Sequence, residues 1–194
     1  MTECVIIPLK RLSRAKTRLS HVIPPRKRKK LMLKLFNHVL KTCTAAGTRC
    51  VVVAEELKIK EHTASQSHVF LLDDSGNLNK AVEKGLEYAR RHSCKKCLIV
   101  FADLPFLTVS DVTSVLKLLN FCDYVICPDL KLEGTNIVAL HGSDKSFKPV
   151  FGRLSYIKFS ENLENFKTYV SLGTSLDLDT SEQLQLAEII GFRI

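Results

Sequence analysis

Tryptophan is absent from this 194-residue chain. No zinc-finger spacing, RNA-recognition motif or aromatic stacking platform is present either, so the usual devices of a nucleic-acid reader are missing. No apolar run approaches the roughly 20 residues needed to cross a bilayer, which excludes a membrane-spanning helix. The N-terminus, Met1-Thr2-Glu3-Cys4, carries an acid where a secretory leader carries cations, and the apolar stretch after it is short. A cytoplasmic protein is therefore expected. No repeat, low-complexity tract or linker breaks the chain, and its length suits one domain over residues 1–194.

Cysteine is present seven times, an odd number, mostly inside apolar segments. That pattern reads as buried, reduced thiols rather than a disulfide framework. Cys94-Lys95-Lys96-Cys97 is the one close pair. It has no second pair or nearby histidines at zinc-ligand spacing and reads as incidental to a strand entrance.

The formal net charge is +9. Such an excess suits RNA, an anionic surface or small anionic substrates, and the distribution separates these. Arg26-Lys27-Arg28-Lys29-Lys30 opens a predicted helix and reads as a solvated face. Lys10, Arg11, Arg14, Lys16 and Arg18 instead follow the first predicted strand directly, where an open α/β sheet places its ligand loops.

Apolar residues at Leu31, Leu35, Phe36, Val39, Leu40 and Cys43 recur with the helical period and predict a helix from about 30 to 46, stopped by Gly47. Leu78, Ala81, Val82, Leu86 and Ala89 mark another helix. Val5–Ile7, Cys50–Val53, Val69–Leu72, Cys97–Ala102, Tyr124–Cys127 and Asn136–Leu140 read as strands, and Cys97–Ala102, the strongest, is continuous apolar sequence, as expected when both sheet faces are covered. Thr108 to Asp111 and Thr180 to Gln183 are capping-box patterns ahead of two further helices. A helix is expected from Ser155 to about Phe166, and a half-exposed strand end at Leu176–Asp179. This alternation predicts an α/β fold: a Rossmann-like, mainly parallel sheet with helices on both faces and Cys97–Ala102 in a central strand.

Asp103 immediately follows that strand, at the sheet edge where open α/β folds bind ligands. Asp177 and Asp179, two apart on extended chain, project from one face with Cα atoms about 6–7 Å apart. Oxygen donors of this kind suit magnesium, which takes one or two carboxylates plus substrate phosphates. The three aspartates are the candidate metal ligands.

The segment Phe101-Ala102-Asp103-Leu104-Pro105 resembles the Ala-Asp-Leu-Pro segment of molybdenum-cofactor-type nucleotidyltransferases. Pro8 to Leu19, Gly76 to Ala81, Gly134-Thr135-Asn136, Phe151 to Ser155 and Leu176 to Thr180 narrow the resemblance. Together they are similar to the 2-phospho-L-lactate guanylyltransferases of coenzyme F-420 biosynthesis, over nearly the whole chain. The first of these segments has no glycine, where the molybdenum-cofactor and sugar enzymes carry a glycine-rich phosphate loop. The resemblance implies transfer of GMP from GTP to 2-phospho-L-lactate with release of pyrophosphate and with magnesium as cofactor. It implies catalytic roles for Asp103 and Lys16, nucleotide contacts from Lys16, Arg18 and Asn79, and metal ligation by Asp103, Asp177 and Asp179. Lys10, Thr135, Gly152 and Ser155 would bind the acid.

Phosphoenolpyruvate or 3-phosphoglycerate as acceptor, or another nucleoside triphosphate as donor, stays open, and a homodimer is compatible with the pattern. A basic nucleic-acid-binding module on a relict fold is the rival from another class. Carboxylates clustered towards a polyanion argue against it.

Overall fold

The computed structural model describes residues 3–12, 16–63 and 68–194. Seven strands form one sheet: β1 (Glu3–Leu9), β2 (Arg49–Ala54), β3 (His68–Leu72), β4 (Lys96–Val100), β5 (Tyr124–Pro128), β6 (Thr135–His141) and β7 (Phe166–Thr168). Their spatial order is β3-β2-β1-β4-β6-β5-β7, which puts β4 in the middle. The β1–β2, β2–β3, β1–β4 and β5–β7 pairs are parallel. Strand β6 runs antiparallel to both β4 and β5. A short loop joins β5 to β6, and so brief a link permits only an antiparallel return.

The helices are α1 (Pro25–Ala45), α2 (Leu78–Arg91), α3 (Val109–Leu118), α4 (Ser155–Asn162), α5 (Leu172–Ser175) and α6 (Ser181–Ile190). Alternation along β1 divides the core. Val5, Ile7 and Leu9 pack with Phe36 and Val39 of α1 and Val112 and Val115 of α3. Cys4 and Ile6 face the other way, towards Val82 and Leu86 of α2 and Phe159 of α4. The second layer is tight: a Cβ on Gly85 would lie 2.4 Å from Ile6 Cγ2, so only glycine fits there. A third cluster joins Leu19, Leu31 and Leu35 to Leu176, Leu178, Leu184 and Ala187. It fastens the last helix and the acidic segment before it against the start of α1.

Both capping boxes form, with Thr108 and Asp111 opening α3 and Thr180 and Gln183 opening α6. Helix α1 begins earlier than periodicity indicates, with Pro25 in the first turn, where its missing N–H is not needed.

Three expectations need correction. The helix from Ser155 ends at Asn162, and Phe166–Thr168 is instead a strand parallel to β5. Asn165 adopts φ 48° between them, a left-handed turn that redirects the chain. Leu176–Asp179 is extended but belongs to no ladder. It is held by Leu178 N donating to the Asp103 carbonyl at 3.1 Å. The cysteines are not all reduced: Cys4 and Cys94 form a disulfide with Cα atoms 6.1 Å apart. Pairing of β1 with β4 brings these distant positions together, which spacing along the chain does not reveal. Cys43, Cys50, Cys97, Cys122 and Cys127 are buried free thiols, as expected.

Candidate active site

A cavity of about 330 Å³ opens where β1 and β4 end, lined by Lys10, Lys16, Arg18, Phe101, Asp103 and Asp179 among others. Its position follows from topology, since the loops after parallel strands meet at this edge of the sheet. Arg14 lies outside the described residues.

Lys16 is the centre of the charge arrangement. Its side chain is only 3% exposed, and its Nζ lies 2.5 Å from Asp103 Oδ2 and 3.8 Å from Asp179 Oδ1. Arg18 Nη1 donates to Asp179 Oδ2 at 2.8 Å. Among the described residues, Asp103 Oδ1 is buried without a hydrogen-bond partner. An acceptor left bare in this way marks a place for a ligand's proton or cation, because buried polar atoms are otherwise satisfied.

Asp177 behaves differently. Its Oδ1 accepts from Gln183 Nε2 at 2.8 Å. Burial, then the negative charge of Asp103, push its carboxyl up to about 7, while Lys16 pulls the other way. Asp103 and Asp179 both raise the Asp177 carboxyl through their charge, so the three aspartates of the expected cradle lie close enough to interact. Among the described residues no three His, Cys, Asp or Glu side chains are grouped to hold a metal ion. The Lys16 ammonium lies between Asp103 and Asp179, Arg18 adds the second positive charge at Asp179, and Gln183 holds Asp177.

Of the residues assigned to the acid, Lys10 lines the cavity. Thr135, Gly152 and Ser155 are not among its lining residues: Thr135 opens β6, Ser155 opens α4 and Gly152 precedes α4. Tyr156 N donates to the Glu133 carbonyl at 2.9 Å, and Ser155 N to the Gly152 carbonyl at 3.2 Å. Ser155 is 2% and Thr135 3% exposed. Thr135 Oγ1 has no partner among the described residues. Gly152 has φ 127° with open space where a Cβ would stand, so its backbone can be approached closely. Asn79, assigned to the nucleotide, is engaged by Phe151: its Nδ2 donates to the Phe151 carbonyl at 3.3 Å and its Oδ1 accepts from Phe151 N at 2.9 Å. It fixes the strand of chain that leads into Gly152.

Two supporting residues were not singled out from sequence. Gln183 reads as a capping residue, yet besides accepting from Asp179 N and Thr180 N it donates to Asp177. Asn136, 4% exposed, donates to the carbonyls of Thr174 and Ser175 at 3.0 and 3.2 Å. It thereby ties β6 to the chain that carries the acidic segment. Its place in Gly134-Thr135-Asn136 was the available signal.

Among the described residues, no helix is long and apolar enough to cross a membrane. The fold is shared with nucleotidyltransferases: the 4-diphosphocytidyl-2C-methyl-D-erythritol synthase of Anaerococcus prevotii superposes with a TM-score of 0.66 over 97% of both chains, at 13% identity. The phosphoenolpyruvate guanylyltransferase of Sphaerobacter thermophilus is 30% identical over 191 residues, covering 95% of this chain and 92% of that protein. The 2-phospho-L-lactate guanylyltransferase of Methanothermobacter thermautotrophicus is 28% identical over 190 residues, covering 95% and 83%. The sequence profile of the family described as "Guanylyl transferase CofC like" matches residues 3–191, and the chain with this cavity belongs to that family of nucleotidyltransferases.

Proposed function

We propose that the protein transfers GMP from GTP to a three-carbon acid bearing a phosphate and a carboxylate on one carbon centre, 2-phospho-L-lactate or phosphoenolpyruvate, as a step of coenzyme F-420 biosynthesis. The observation that carries this reading is the Lys16 ammonium buried between Asp103 and Asp179, in a cavity that Lys10 and Arg18 also enter. A phosphate oxygen of the acid attacks the α-phosphorus of GTP. A new phosphorus–oxygen bond forms, and the bond to the bridging oxygen of the β-phosphate breaks, so pyrophosphate leaves with that electron pair. The nucleophile is already ionised, so no strong base is required. The difficulty is bringing two polyanions together, and fixed cations around the α-phosphorus offset it.

In this reading Lys16 and Arg18 hold the triphosphate and Lys10 meets the acid, since all three line the cavity. Thr135, Ser155 and the Gly152 amide supply neutral donors for a phosphate or carboxylate, where an acidic side chain would repel it. The donor chemistry also fits a hard divalent cation. Asp103 has a buried oxygen without a partner, and Asp179 is a half-exposed carboxylate next to it. Asp103, Asp177 and Asp179 would hold magnesium, and the ion would neutralise phosphate charge during transfer.

The test is incubation with GTP, magnesium and each acid separately, with detection of pyrophosphate and of the coupled nucleotide. Product with 2-phospho-L-lactate or phosphoenolpyruvate and none with lactate supports the reading. Absence of turnover with both 2-phospho-L-lactate and phosphoenolpyruvate removes it, even if 3-phosphoglycerate is used.

A further inference from the structure

Helix α1 opens with five consecutive cations, Arg26 to Lys30, and no acid in its first turn. Cations are disfavoured at a helix N-terminus by the macrodipole, so the run needs another reason. Four of the five side chains are exposed, and Arg28 alone is half-buried. Arg28 Nη1 donates to the backbone carbonyl of Lys16 at 3.3 Å. The same carbonyl accepts from Leu19 N at 3.0 Å. Lys16 itself sits in the left-handed region, at φ 56° and ψ 39°. A residue with a long side chain stays there only when its surroundings hold it. Among the described residues Arg28 Nε is buried without a partner. A solvated surface arginine would keep that donor in water, so the inward placement is explained by the contact it makes with the loop. Met32, one turn further along α1, lines the cavity, so this face of the helix looks onto the site.

We propose that Arg28 is a positioning residue for guanylyl transfer: by holding the Lys16 carbonyl it keeps the Lys16 ammonium seated between Asp103 and Asp179. The role rests on the reading of this cavity as the triphosphate site. Arg28 acts through the backbone of Lys16 and not by touching substrate.

Amine labelling with an N-hydroxysuccinimide ester, read by peptide mass spectrometry, reports the seating of Lys16 without any turnover. In Arg28→Gln, Lys16 labels at least about fivefold faster than in the parent, because local release exposes its amine. The exposed Lys30 and Lys117 label at parental rates. Arg28→Lys, which keeps a donor and a charge, restores slow labelling. In turnover, Arg28→Gln lowers kcat about tenfold with the KM for GTP within about twofold, as expected for misplacement of one catalytic group. That loss disappears in a Lys16→Ala background, since the two act as a unit. Arg28→Met provides the same comparison if Arg28→Gln does not fold. Parental labelling of Lys16 in a folded Arg28 variant overturns the proposal, as does a raised KM for GTP that persists without Lys16. If the parent protein turns over no GTP with any acid, the functional reading fails, while labelling still decides whether Arg28 seats Lys16.

Discussion

Lys16 and Asp103, 87 residues apart in sequence, meet at 2.5 Å in the lining of the cavity. Lys16 is almost wholly enclosed, whereas Asp103 is 21% exposed. Lys16→Ala therefore leaves a partly buried carboxylate without its counter-charge. The expected loss of stability is about 3 kcal/mol, the low end for breaking a buried ion pair, because water still reaches Asp103. Turnover should fall at least about a hundredfold, as when a fixed charge at the reacting group is removed. Urea denaturation and pyrophosphate release measure the two effects. Asp103→Asn should abolish turnover with every acid. Retained activity in that variant would contradict its assignment.

Thr135 gives a prediction in which stability and function move in opposite directions. Its hydroxyl is buried and unpartnered among the described residues. Thr135→Val keeps the shape and removes a desolvated polar group, so the fold should gain about 1 kcal/mol. If the hydroxyl binds the acid, the KM for the acid should rise while that for GTP stays put. Ser155→Ala should likewise weaken use of the acid by about 1–3 kcal/mol, the range for a lost buried hydrogen bond. Steady-state kinetics with GTP and acid varied separately distinguish these outcomes from a general loss.

Asp111 should make stability depend on acid pH. Burial pushes its carboxyl up, but hydrogen bonds from the Thr108 and Ser171 hydroxyls, Thr108 N and the Tyr169 hydroxyl outweigh it and hold the carboxyl below the ordinary range. The folded protein thus binds the proton less readily than the unfolded chain does. The resulting stabilisation is present above the ordinary carboxylate range and is lost as pH falls through the lowered value. Asp111→Asn should cost about 2 kcal/mol at pH 7, as for a charged buried hydrogen-bond acceptor. The difference from the parent should shrink towards pH 3, as melting curves across that range will register.

The Cys4–Cys94 disulfide closes a loop with a sequence separation of 90. A loop of that size is expected to add about 2–4 kcal/mol by restricting the unfolded chain. Reductant should lower the melting temperature of the parent and leave Cys94→Ser unchanged. Intact-mass measurement before and after alkylation identifies the linked pair. Alkylation of all seven cysteines in the unfolded, unreduced protein would show the bond absent.

Hydrophobic periodicity, helix caps and the aspartate after the strongest apolar run are local signals. They were enough to specify the α/β alternation, both capping boxes, the central strand and the place of Asp103. The short strand β7 and the four-residue helix α5 escaped because neither is long enough to show a period, and partners elsewhere in the chain hold each in place. The same limit applies to the site. That Arg18 reaches Asp179, 161 residues away, depends on α6 packing against the start of α1 through Leu31, Leu35, Leu184 and Ala187. The seating of Lys16 between two carboxylates, the holding of Asp177 by Gln183 and the closure of Cys4 onto Cys94 depend on the same kind of long-range packing. Sequence determined which residue types were available and which lay at strand ends, because backbone preference and burial pattern act over a few residues. Tertiary structure alone decided which of those charges meet, because strand order and helix docking set distances between segments that share no local signal.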